Sequence, residues 1–127
     1  MCIPPPSLIV AFGSCTPGPH PSARMLGIHA EWVAKAAHEH PGQPIVLVGH
    51  SFGSRCTAHL ALGLVEVVNK GAESTAAPFA DAAALPPAVK GLLLCGYPIQ
   101  NSKKATSPAR VDVLERLWTE SPLPVSR

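Results

Sequence analysis

The residues best suited to chemistry are Gly49-His50-Ser51-Phe52-Gly53. A serine flanked at two residues' distance by glycines suits a sharp strand–turn–helix bend, which lifts its hydroxyl clear of the backbone as a nucleophile. Glycines suit positions 49 and 53 because a Cβ there would meet neighbouring backbone. The amide of Phe52 would open the following helix and point at a developing oxyanion. The chemistry implied is attack on an ester or another acyl carbon. His50 adjoins the serine and Tyr97 lies at the end of a later apolar run, so both are candidates for lining a substrate pocket. The same pentapeptide also fits a plain Gly-rich connection in which Ser51 merely caps a helix.

The flanking residues must supply the strand and the helix. Ile45, Val46, Leu47 and Val48 form a short branched apolar run, the pattern of a buried strand. Residues 54–70 read as a helix, with Ala58, Ala61, Leu62, Val65 and Val68 as its apolar stripe and Gly71 as its stop. Upstream, residues 7–12 read as a strand, and the Pro-, Gly- and Ser-rich residues 14–21 as a loop. A helix is expected over 22–40. Leu26, His29, Trp32, Val33 and Ala36 share one face, and Pro41-Gly42-Gln43-Pro44 is the breaker. Residues 72–87 read as an Ala- and Pro-rich insertion loop with at most a helical turn. Residues 89–96 read as another buried strand. Ser107-Pro108 opens a helix to about Glu120, with Val111, Leu114, Leu117 and Trp118 as its stripe. Leu123-Pro124-Val125 could begin a further strand. Trp32 and Trp118 are expected in the core, and Arg55 to tie the helix start to a loop or carboxylate.

Strand–helix alternation of this kind argues an α/β fold with a parallel sheet and crossover helices. The expected architecture is a three-layer sandwich around a sheet of about three strands. Residues 1–21 would be a strand-like segment with its loop, and residues 22–127 the partial domain. The 127 residues suit one small domain. Charged residues make up 14%, well below the usual quarter, and 15 prolines are about twice the usual share. The net charge of +2 is scattered rather than massed on one face, which argues against direct nucleic-acid binding. The pair Lys103-Lys104 reads as a solvated loop. Cys2, Cys15, Cys56 and Cys95 lack paired metal-ligand spacing, so neither a metal nor another cofactor is expected. Free cysteines in core elements suit a reducing compartment, cytoplasm or nucleus. No apolar run reaches the roughly 18–20 residues of a membrane span. Residues 1–6 have no positive charge to begin a secretory signal.

Residues 38–55 and 89–98 together resemble a branch of the α/β-hydrolases. That dienelactone-hydrolase-like branch contains the hydrolase-like domain of a regulatory subunit of the NSL histone-acetyltransferase complex, a testis-expressed homologue and plant relatives. The matching motifs are Pro41-Gly42-Gln43-Pro44, the elbow followed by Gly53-Ser54-Arg55, and Gly96-Tyr97-Pro98. The resemblance covers residues 24–125 and implies a serine-hydrolase fold with Ser51 as nucleophile. It also sets residues 7–12 about where the fourth strand of that fold would stand.

The resemblance makes the missing groups conspicuous. In α/β-hydrolases an Asp or Glu and then a His follow the serine in chain order. The implied acid follows the strand at 123–125, and the base comes later still. The only histidine after Ser51 is His59, in the same helix segment and unable to reach the serine. His20, His29, His38 and His40 precede the elbow and read as surface or loop residues. Asp112, Glu115 and Glu120 fall on a helix. The second oxyanion amide would lie upstream of residue 7. Two classes therefore stay open: a hydrolase acting on a small ester or acyl substrate, weak or inactive as this chain alone, and a non-catalytic scaffold that binds protein partners. A chain fragment without a stable fold is the remaining expectation.

Overall fold

In a computed structural model, residues 8–12, 21–67, 75–78, 85–100, 106–121 and 123–126 are described. The elbow strand, β2 (Ile45–His50), is bonded on both sides. It pairs in parallel with β1 (Leu8–Phe12) and with β5 (Val89–Cys95), and β5 pairs in parallel with β6 (Val125–Ser126). The expected parallel sheet is therefore present, and the residues at its far edge form a fourth, two-residue strand. Between β2 and β5 the chain forms α2 (Phe52–Leu62) and a separate antiparallel hairpin of β3 (Leu64–Val67) and β4 (Thr75–Pro78).

The strand order β1-β2-β5-β6 advances in one direction without reversal. Right-handed crossovers then place α1 (Ala23–Glu39), α2 and α3 (Pro108–Glu120) on the same face. Accordingly α2 touches both α1 and α3. One core joins Leu26 and Val33 of α1, Cys56, Ala58 and Leu60 of α2, and Val113 and Leu117 of α3 to Ile45, Leu47, Leu92 and Leu94 of the sheet. Among the described residues the three helices lie on one face of this sheet, where the expected three-layer sandwich has them on both, and the β3–β4 hairpin contacts α1, α2 and α3. Burial alternates along β2: Ile45, Leu47 and Gly49 are buried under the helices, while Val46 and Val48 are half-buried on the other face.

The first helix begins at the expected residue. Ser22 is extended and its Oγ accepts from Met25 N at 3.3 Å. Its core contacts are narrower than the sequence stripe. Leu26 and Val33 are fully buried, but Trp32 is 59% exposed. Trp32 sits one residue, about 100°, around the helix from Val33, at the rim of the buried face. There Lys35 Nζ lies 5.6 Å from its ring centroid. Trp118 stands in the same relation to Leu117 and is 53% exposed. Neither tryptophan is a core residue.

Helix α2 ends well before residue 70. Gly63 adopts the left-handed conformation (φ 66°), and its N–H returns to the last turn. Leu64-Val65-Glu66-Val67 then alternates with the two-residue period of a strand, Leu64 and Glu66 being buried. Its partner β4 falls inside the segment expected to be an insertion loop, so that expectation too is corrected. Gly71, Lys103 and Lys104 lie outside the described residues. Helix α3 has Pro108 in its first turn, as expected. No helix among the described residues is long and apolar enough to cross a membrane.

Candidate functional site

Ser51 is the junction between β2 and α2. Its φ of 55° and ψ of −119° make it the one non-glycine with positive φ among the described residues. Such a conformation costs about 1–3 kcal/mol and persists only where surrounding bonds impose it. Here they do. Ser51 N–H donates to Cys95 O at 2.9 Å, which ties the turn to β5. Ser51 O accepts from Ser54 N at 2.9 Å, from Arg55 N at 3.4 Å and from the Ser54 hydroxyl. The Ser51 hydroxyl makes no capping bond, so the helix-cap reading of this serine does not hold.

The glycine requirement at position 49 is steric. A Cβ there would stand 2.5 Å from Ser54 Cα, 2.6 Å from Gly53 O and 2.7 Å from Thr57 Oγ1. The strand and the helix leaving it cross too closely for any side chain. Gly53 is buried, and its carbonyl accepts from Thr57 Oγ1 at 2.8 Å. Phe52 opens the helix, so its amide has no acceptor within the helix. Its side chain packs against the core.

His50 is exposed at the end of β2. Tyr97 is half-buried, and its hydroxyl donates to Arg110 O at 2.9 Å. Burial pushes its phenol up to about 12. That bond joins the residues after β5 to α3. His59 is buried, with Nδ1 2.9 Å from Leu64 O and Nε2 4.0 Å from Glu66 Oε2. Neither nitrogen serves Ser51. His38 and His40 are exposed, His29 is half-buried in α1, and His20 lies outside the described residues. Asp112 and Glu115 are exposed on α3, and Glu120 pairs there with Arg116 at 3.4 Å.

Sequence reasoning missed Glu66. It forms a buried ion pair with Arg55, the two side chains 8% and 2% exposed. This is the carboxylate tie expected of Arg55. Glu66 N–H also donates to Pro21 O at 3.1 Å, so β3 is fixed to the residue before α1's cap. The alternation of 64–67 after Gly63 was the signal that could have found it.

Burial drives the pKa of His59 below its ordinary value and outweighs the opposing pulls of the Leu64 carbonyl and of Glu66; burial lowers His29 as well. Both imidazoles take up a proton at lower pH in the fold than in the unfolded chain, which does so below about pH 6.5. Their contribution to stability is therefore full above that pH and is lost as pH falls towards the folded pKa. Urea midpoints are expected to drop between pH 7 and 5, with a shallower drop in His59→Gln. An unchanged slope in that variant would assign the effect to other groups.

A groove of about 330 Å³ lies between β1 and α1, lined by Leu8, Val10, Trp32, Ala36 and His40 among others. It includes no elbow residue. No cluster of three or more metal-ligating side chains occurs among the described residues. Compared with protein families, with curated proteins and with solved structures, the chain gave no match.

Proposed function

We propose that the chain carries a serine-nucleophile elbow of the α/β-hydrolase kind, related to serine esterases and acyl hydrolases. One observation carries this reading: the positive φ of Ser51 where a parallel strand meets a helix, with Gly49 crowded against that helix. Strain of this kind is kept where it serves a site. In this reading Ser51 Oγ is the attacking atom and the Phe52 amide is one oxyanion donor, acting on a small ester or acyl compound. The cytoplasmic or nuclear setting is part of the same proposal.

A second reading is favoured by the fate of His59. Within these 127 residues it is the only histidine after the serine, and Leu64 and Glu66 engage it. A serine hydroxyl without a base is a weak nucleophile, and a triad lacking a member loses most of its rate. The alternative is thus a non-catalytic hydrolase-like scaffold, which the resemblance would make a partner-binding domain of a chromatin-associated complex.

Two measurements on Ser51 test these ideas, the first the elbow they share and the second its chemistry. Ser51→Gly relieves the backbone strain and is expected to stabilise the fold by about 1 kcal/mol. No rise in melting temperature would count against an elbow of any kind. The unmodified chain is expected to label feebly with a fluorophosphonate. Strong labelling at Ser51, abolished in Ser51→Ala, would show that a base reaches it and would remove the scaffold reading.

A further inference from the structure

Among the described residues β1 is bonded on one side only, to β2. Leu8 N–H donates to Pro44 O at 2.7 Å, just ahead of β2. Backbone groups alternate sides along a strand. Leu8 and Val10 therefore spend theirs on β2, and the N–H and C=O groups of Ile9 and Ala11 face outward. Ile9 is 65% exposed, and Ala11 is exposed as well. Folded proteins blunt such an edge with charge or proline, and Leu8-Ile9-Val10-Ala11-Phe12 carries neither.

The groove between β1 and α1 runs beside this edge. Its lining sets Leu8 to Ala11 alongside Trp32 to His40. The helical side carries the exposed Trp32 and two opposite charges one turn apart, Lys35 and Glu39. Ile28, a turn before Trp32, is 40% exposed and extends the apolar rim.

We propose that this edge is a two-fold interface between two copies of the chain, which joins their sheets into one. A two-fold axis through Val10 runs the two β1 strands antiparallel and sets Ile9 of each copy opposite Ala11 of the other. These are the residues with outward groups, so both pairs are hydrogen-bonded ones, with Val10 opposite itself as the non-bonded pair between them. On the open face a large side chain then meets a small one. The same axis runs the two α1 helices antiparallel. It passes close to the level of Ala36 and Ala37, midway between the charges, so Lys35 of each copy comes level with Glu39 of the other. A two-fold interface requires self-complementarity of this kind. A second copy answers the outward amides, the apolar rim and both charges at once. The interface does not depend on Ser51 being a nucleophile.

Sedimentation equilibrium on the full chain, from about 1 to 200 µM, tests the proposal. The mass is expected to rise from 13.2 kDa towards twice that value. Ala11→Pro removes an outward N–H without taking a bond from β2, and is expected to keep the chain at one mass throughout. Lys35→Glu and Glu39→Lys each set like charges across the axis, and each is expected to weaken association at least about tenfold. Exchange of both, Lys35→Glu with Glu39→Lys, restores opposite pairs and should return association to within about threefold of the parent. Circular dichroism checks the fold of each variant; should Ala11→Pro not fold, the charge exchange decides alone. A single mass at every concentration overturns the proposal. So does association that is indifferent to Lys35→Glu or not rescued by the exchange, since the copies would then meet elsewhere.

Discussion

Glu66→Ala is expected to destabilise the protein by about 3–5 kcal/mol, because it leaves the Arg55 guanidinium buried without its partner. Whole domains hold only about 5–15 kcal/mol, so much of this variant should be unfolded at 37 °C. The loss reaches three elements. Arg55 sits in the first turn of α2, Glu66 in β3, and the backbone of Glu66 is bonded to Pro21 ahead of α1. Arg55→Met with Glu66→Leu together should recover most of the stability, since apolar replacement of a whole buried pair is often neutral or favourable. Glu39→Ala is the control. Its pair with Lys35 spans 3.9 Å on an exposed helix face, where such pairs contribute about 0–1 kcal/mol. Urea midpoints at constant slope provide the readout. A Glu66→Ala variant as stable as Glu39→Ala would mean that the buried pair does not exist in solution.

Gly49→Ala is expected to cost about 3 kcal/mol or more, the upper end of overpacking penalties. The added methyl meets Ser54 Cα and the Gly53 carbonyl, which are backbone and cannot swing aside. Either α2 lifts from β2 or the Ser51 turn is remade, so whatever chemistry Ser51 has should vanish with the stability. Gly27→Ala makes the contrast. Nothing lies within 4 Å of its would-be Cβ, and a helix-interior glycine gains about 0.5–1 kcal/mol on becoming alanine. The two substitutions should therefore move the melting temperature in opposite directions. A Gly49→Ala protein that melts with the parent would show that β2 and α2 do not cross as described.

Much of the fold was legible because its signals are local. Ile45-Val46-Leu47-Val48 announces a strand, the periodic run from Ser22 a helix, Ser107-Pro108 opens another, and 123–125 lies where the last strand starts. The hairpin was not legible, since Leu64–Val67 suits the end of an apolar helix nearly as well as a strand. One residue, Gly63 in its left-handed turn, decides between them. The tryptophans misled for another reason. Helical period assigns a face, but the width of the buried strip depends on what packs there, and 100° suffices to carry Trp32 and Trp118 to the rim.

The candidate site divides along the same line. Gly49, Ser51, Phe52 and Gly53 could be named from order alone, because the bend and the residues it tolerates are a matter of neighbouring backbone. The fates of His59, Arg55 and Tyr97 could not. Their partners, Glu66, the Leu64 carbonyl and the Arg110 carbonyl, are brought to them by chain reversals. Which amides of β1 face outward is likewise settled only once β1 and β2 lie side by side. Sequence by itself determined the strand, the turn and the crowded glycine, since sterics act between residues close in the chain. Tertiary structure decided which charges are buried together and which face of the sheet the helices cover, since burial and ion pairing depend on distance in space.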